Sequence, residues 1–229
     1  MAPQLDYENL SRSLRARLAL VGSASAPELC AHLGISQPTL SRLVARYRDE
    51  LVIAGRGRAT RYAACRVVPD VGATLPLYVV NEAGGTRRLG VLHAVLAEGF
   101  WVESLDEDLS GGFFSDLPYF LNELRPQGFL GRQIPGRHVE LELPSDVALW
   151  SANHCLKYLV RFGWDTVGNW LIGDRALTAY LEHLEEPAND LHGRIPVRSR
   201  FGYVGVDAIG LPAGDRRGGS ADQHLPHGG

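Results

Sequence analysis

The chain has 229 residues, 45% of them hydrophobic and 21% charged, with a formal net charge of −3. That length allows one large domain or two small ones, either able to bury a core, and the composition is that of an ordinary soluble globular protein. No run approaches the ~20 apolar residues of a membrane span, and no charged-then-apolar leader precedes a cleavage site, so a cytoplasmic location without a membrane partner is expected.

Cys30, Cys65 and Cys155 are widely spaced and lack any CxxC pairing. Small buried thiols are expected, and no disulfide framework, zinc site or other cofactor is indicated. The net charge hides an asymmetry. Residues 1–66 hold 10 Lys+Arg against 5 Asp+Glu, whereas residues 67–229 hold 13 against 21. A nucleic-acid partner is therefore expected for the N-terminal part and not for the remainder.

In chain order, Leu10, Leu14 and Leu18 recur at i+4 and predict a first helix whose Arg12, Arg15 and Arg17 form a solvated face. Ser25 and Glu28 have the spacing of a capping box, with Pro27 in the first turn of a short helix carrying Leu29 and Leu33. Gly34 supplies a left-handed ending. Ser36 then caps another helix with Pro38 in its first turn, closed by Asp49 and Glu50. Two helices joined by about three residues make a helix-turn-helix.

Leu40, Leu43, Val44 and Tyr47 form the buried stripe of that second helix, leaving Thr39, Ser41, Arg42, Ala45 and Arg46 outside. Small polar groups near the N-terminus approach base edges, and arginines further along neutralise phosphates. The segments LVIAG and TRYAAC read as strands of a wing whose tip, Arg56, Gly57 and Arg58, joins Arg61 in a basic ribbon. The expected DNA-binding residues are Gln37, Thr39, Ser41, Arg42, Arg46, Arg56, Arg58 and Arg61. The competing reading is a winged helix used for protein contacts.

Val67 to Thr74, with Pro69 and Gly72, reads as an exposed domain joint. Beyond it LPLYVV, the turn NEAGG, RRLGVLHAVL and GFWVE predict strands, and Leu105 to Gly112 an acidic loop. Ser115 reads as the cap of a helix with Leu117, Phe120, Leu121 and Leu124 inside, ended by Arg125-Pro126. Gln127 to Arg132 lacks periodicity. Ser151 caps a helix carrying Cys155, Leu156, Leu159 and Val160 up to Gly163, NWLIG reads as a strand, and Asp174 caps a helix with Leu177, Tyr180, Leu181 and Leu184. Residues 201–229 contain eight glycines and no apolar repeat, so a poorly structured tail is expected over 186–229.

The run SDLPYFLNELRPQGFLGR, followed by CLKYLVRFGWDTVGNWLIGD, resembles the N-terminal subdomain of HipA-type serine/threonine kinases, toxin components of toxin–antitoxin pairs. Leu117-Pro118, Pro126-Gln127-Gly128, and Gly163 with Asp165, Gly168, Leu171 and Gly173 carry the resemblance. A winged helix fused ahead of that subdomain looks like the YjjJ-like branch. The resemblance implies a kinase core further on, with a Gly-rich phosphate loop, an ATP lysine and catalytic and metal-binding Asp residues. Lys157, the sole lysine, follows no glycine-rich strand turn, and no HRD-like or DFG-like run occurs.

Other chemistry is thin. His154 and Cys155 are adjacent on a helix, where their side chains diverge. Asp106, Glu107 and Asp108 read as a solvated charge run, and His224 and His227 lie in the tail. The fold class expected is α+β, a winged helix-turn-helix over 1–66 followed by a small mixed α/β HipA-like subdomain over 75–185. The function expected is a non-enzymatic DNA-binding regulator of a toxin–antitoxin system. The rival is a split or truncated regulatory subunit of a kinase toxin, with a reading-frame break near residue 190 as one origin of the tail. The partners expected are double-stranded DNA, a HipA-type kinase core or antitoxin protein, and a second copy of the chain.

Overall fold

A computed structural model describes residues 6–55, 57–166 and 168–185. Arg56 and the tail 186–229 lie outside the described residues. The first helix, α1, is Tyr7–Val21; the Asp6 carboxylate accepts the free backbone N–H groups of Glu8 and Asn9, and Gly22 turns the chain out of it. A short strand β1 (Ala24–Ser25), α2 (Ala26–Leu33) and α3 (Gln37–Arg46) follow. A hairpin of β2 (Leu51–Ala54) and β3 (Arg61–Ala64) then returns to the helices. The small sheet has the order β1-β3-β2, antiparallel throughout.

Leu14, Leu18, Leu29, Leu40 and Leu43 meet beneath these helices at no more than 1% exposure. At roughly 1.5–3 kcal/mol for each fully buried leucine, that cluster outweighs the intrinsic helix preferences of segments this short. Tyr47 lies just beyond α3, which ends one turn earlier than the sequence indicates; Arg48–Glu50 form a 3-10 turn instead.

The second unit is a five-stranded antiparallel sheet of order β7-β6-β5-β4-β8. Its strands are β4 (Thr74–Val80), β5 (Thr86–Ala94), β6 (Phe100–Ser104), β7 (Gly112–Phe114) and β8 (Trp170–Ile172). The β4–β5 turn is closed by Asn81, whose backbone N–H and side-chain oxygen both bond Gly85. Helices α4 (Gly128–Arg137), α5 (Ala152–Phe162) and α6 (Asp174–Glu185) complete the unit. Alternation along β8 assigns the two faces: Trp170 and Ile172 join the core with Leu156 and Leu159 of α5, and Leu171 joins Ala176 and Tyr180 of α6.

Three segments differ from the sequence reading. The helix expected from Ser115 is a 3-10 turn, Tyr119–Leu124, entered from Pro118, because proline pushes the residue before it out of the helical region. Leu117, Leu121 and Leu124 are still buried by it. Gln127 to Arg132, expected to be irregular, enters α4, where Gly131 lets the chain pass Pro126; a Cβ there would stand 2.8 Å from the Pro126 carbonyl carbon. Phe129 and Leu130 point outward, so no apolar stripe marks α4. In α6 the buried residues are Ala176 and Tyr180, with Leu181 and Leu184 exposed, a rotation of the expected stripe.

The chain leading into the expected joint is paired with the large sheet, and the joint itself, Val67 to Thr74, is part exposed and part buried. Cys65 pairs with Val95 across an antiparallel bridge, flanked by Arg66 N–H to Ala94 O at 2.9 Å and Leu96 N–H to Ala64 O at 2.8 Å. Val68 is buried, and Val67, Pro69 and Asp70 are exposed. Val52 and Ala63 of the hairpin pack with Val95 and Trp101 of the large sheet in one cluster. The Arg66 side chain, just beyond β3, turns inward. It donates to Val95 O and Asn153 Oδ1 and lies over the Phe100 ring, and burial lowers its pKa without taking an arginine out of its cationic form.

Gly22 adds a second seam. Its φ is +73°, and a Cβ there would stand 2.5 Å from Cζ of Phe113 in β7. Gly22→Ala should therefore lower stability by about 1–3 kcal/mol through left-handed strain and collision. Adding Phe113→Ala should cost less in that background than alone, since it removes the collision. Urea unfolding of both single variants and the double checks this, and strict additivity would contradict it.

Candidate nucleic-acid interface

The outward face of α3 exists because its other face is fully used. Leu40, Leu43 and Val44 are buried, and Gln37, Ser41, Arg42, Ala45 and Arg46 are exposed. Thr39 is half-buried. Its hydroxyl shares a 3.0 Å hydrogen bond with Ser36 Oγ, so Ser36 sits at the N-cap without making the capping bond expected of it. The Ser41 hydroxyl donates back to Gln37 O at 3.1 Å, a bond it must release before it can address a ligand.

The arginines divide by what they already touch. The Arg46 guanidinium carbon stands 5.7 Å from the centroid of the Tyr7 ring, a cation–π contact between the end of α3 and the start of α1. Arg42 and Arg58 are exposed, and neither has an ion-pair partner among the described residues. Arg58 lies in a 3-10 turn, Gly57–Ala59, at the hairpin tip, and Arg56 beside it is outside the described residues. Arg61, in the last β2–β3 pair before the tip, is engaged: its guanidinium donates to Ser23 Oγ and to Ser23 O at 3.1 Å, with Glu28 Oε2 3.8 Å away.

Glu28 joins α2 to this arrangement. Its carboxylate accepts from Ser25 N at 2.6 Å and from Ser25 Oγ at 2.8 Å, completing the capping box. The Ser25 backbone bond, then the Ser25 hydroxyl, then Arg61 and Arg17 hold the Glu28 pKa below its ordinary value. On α1, Arg15 forms an ion pair with Glu50, and only Arg12 is fully exposed, so the solvated face expected there is partly occupied. The sequence reading missed Tyr7, Ser23 and Glu50 as partners of these arginines. Each contact spans at least 35 residues of chain, and no local spacing signals it.

Elsewhere the thin chemistry is accounted for structurally. His154 Nδ1 accepts Ser151 N–H in a second capping box, and Cys155 is buried with its thiol pKa pushed up by desolvation. Asp106 and Asp108 both pair with Arg87. Lys157 Nζ stands 2.7 Å from Asp70 Oδ2. No group of three or more potential metal ligands occurs among the described residues, and no described helix is long and apolar enough to cross a membrane.

Residues 71–181 match the profile of a family described as YjjJ-like toxin, middle domain. Over 212 residues the chain is 34% identical to Toxin YjjJ of Escherichia coli (strain K12), a stretch covering 91% of this chain and 45% of that protein. The chain thus spans less than half the length of the curated relative it matches. No solved structure matches it.

The capping box offers a test of this face's foundation. Ser25→Ala should cost about 1 kcal/mol, the usual loss for a serine cap. The Glu28 pKa is depressed in the folded chain, so its contribution is present above the unfolded value, near 4.5, and fades as pH falls through the folded one. The stability gap between wild type and Ser25→Ala should narrow below that pH. Denaturant titrations at several pH values measure it, and a gap that widens in acid would refute the assignment.

Proposed function

The chain belongs to the YjjJ-like, HipA-related toxin family through its middle domain, and on that footing we propose that its N-terminal unit is a winged helix-turn-helix that binds double-stranded DNA. In this reading residues 1–66 are the DNA-binding domain and residues 75–185 a HipA-like subdomain, the whole acting as a regulator in a toxin–antitoxin setting. One observation carries it: α3 buries Leu40, Leu43 and Val44 and holds Gln37 and Arg42 outward, on the same small unit as a hairpin whose tip presents Arg58. A helix presenting polar groups near its start and a cation one turn later suits the major groove, with the hairpin along the backbone. Arg42 and Arg58 serve phosphates. Gln37, with Thr39 and Ser41 once their internal bonds open, serves base edges; Arg46 flanks them on α3, and Arg56 belongs to the same proposed set of phosphate contacts.

Arg42→Ala should weaken binding to all duplexes alike and make the logarithmic salt slope shallower by about 0.9. Gln37→Ala should change sequence preference instead. Gel shifts at several salt concentrations decide between these, and absence of duplex binding by the intact chain at low salt would sink the reading.

The relative's printed name, a toxin, and the share of it covered support a second reading, in which this portion binds a kinase core or antitoxin protein supplied by other sequence. In either reading these 229 residues transfer no phosphate themselves. Lys157, the chain's one lysine, is held by Asp70 instead of facing a phosphate loop. Titration with magnesium and ATP should give no saturable heat, and autophosphorylation by the purified chain would overturn this part. Copurification of a separately encoded kinase core would favour the second reading.

A further inference from the structure

We infer that Arg61 is a positioning residue of the DNA-binding face, a strut that sets the angle of the hairpin against α2 and α3, and not one of its phosphate ligands. This rests on the proposed DNA-binding reading. Arg61 is the last paired residue before the hairpin tip: it faces Ala54 across β2 and Ser25 across β1. Its side chain leaves the hairpin and reaches the turn after α1, where Nε donates to Ser23 Oγ at 3.2 Å and one terminal nitrogen to Ser23 O at 3.1 Å. The other terminal nitrogen stands 3.8 Å from Glu28 Oε2, the same oxygen that accepts both Ser25 bonds at the N-cap of α2.

One guanidinium therefore joins the tip end of the paired hairpin, the α1–β1 turn and the start of α2. A planar fork with five donors can hold two oxygens at once in fixed directions; an ammonium cannot. Arg58, by contrast, sits at the tip with no such partners among the described residues. The same charge thus has two jobs in one hairpin. Releasing Arg61 to a phosphate would break its bonds to Ser23 and free the hairpin whose tip must be placed.

The test uses the full chain and compares Arg61→Ala, Arg61→Lys, Ser23→Ala and Arg58→Ala. Arg58→Ala should weaken duplex binding and lower the salt slope by about 0.9. Arg61→Ala should weaken binding several-fold with the wild-type salt slope and an unshifted melting temperature. Arg61→Lys should fail to restore affinity. Ser23→Ala should weaken binding in the wild type and add little to Arg61→Ala, the signature of one shared interaction. A salt slope lowered by about 0.9 in Arg61→Ala, with affinity kept by Arg61→Lys and Ser23→Ala silent, would make Arg61 a phosphate ligand and overturn the inference. Amide exchange over residues 55–61 decides the matter without DNA: it should accelerate in Arg61→Ala, and unchanged protection would remove the strut. Should wild type bind no duplex, the DNA reading fails on its own, and the exchange comparison still judges the strut.

Discussion

The backbone pairing of residues 64–66 with 94–96 is the constraint on which the rest of the molecule depends. Two amide hydrogen bonds, Leu96 to Ala64 and Arg66 to Ala94, carry the end of the small sheet's β3 directly onto the end of β5 in the large sheet. Buried backbone groups there would otherwise go unpaired, at a cost of about 1–3 kcal/mol each. The pairing also brings Val52 and Ala63 against Val95 and Trp101, so that neither unit closes its own apolar surface alone. Arg66 completes the seam by spanning Val95 O and Asn153 at the start of α5. A basic unit joined to an acidic one in this way cannot swing as a bead on a string.

What the sequence revealed and what it concealed follow the range of the interactions. The Ser25–Glu28 capping box and the Ser151 cap are local devices, and both form; the reciprocal bond of His154 to the Ser151 N–H was not read from the sequence. The Asn81–Gly85 turn and the alternation of β4 and β5 are local too. The outward face of α3 was legible because a leucine stripe on one side of a helix dictates what remains on the other. Tertiary contacts left no such trace. Arg61 and Ser23 are 38 residues apart, and a basic ribbon read from sequence could not separate Arg58, without a partner among the described residues, from the bonded Arg61. Helix α4 was hidden for a different reason. Its exposed Phe129 and Leu130 and its internal Pro135 are poor helix signals, and its local packing overrides them.

Charge gives the rigid junction a consequence under the proposed DNA-binding reading. Residues 67–185 hold 8 Lys+Arg against 16 Asp+Glu, whereas residues 1–66 carry twice as many basic as acidic groups. Repulsion between exposed carboxylates and phosphates acts over a Debye length of about 8 Å at physiological salt. With a flexible linker the acidic unit could diffuse out of that range. With the seam between residues 64–66 and 94–96, its distance from a bound duplex is fixed by the fold, and any repulsion is a constant part of the affinity. On the proposed face attraction then rests chiefly on Arg42 and Arg58, which have no partner among the described residues; Arg15, Arg46, Arg61 and Arg66 have partners, and the exposed Arg12 and Arg48 lie on α1 and on the 3-10 turn after α3. Few phosphate contacts mean weak sequence-independent binding and a shallow salt dependence, which shifts the burden of recognition to Gln37 and the small hydroxyls at the start of α3. The internal bonds of Thr39 and Ser41 raise the threshold for the wrong sequence, because only a duplex that replaces those hydrogen bonds recovers what opening them costs.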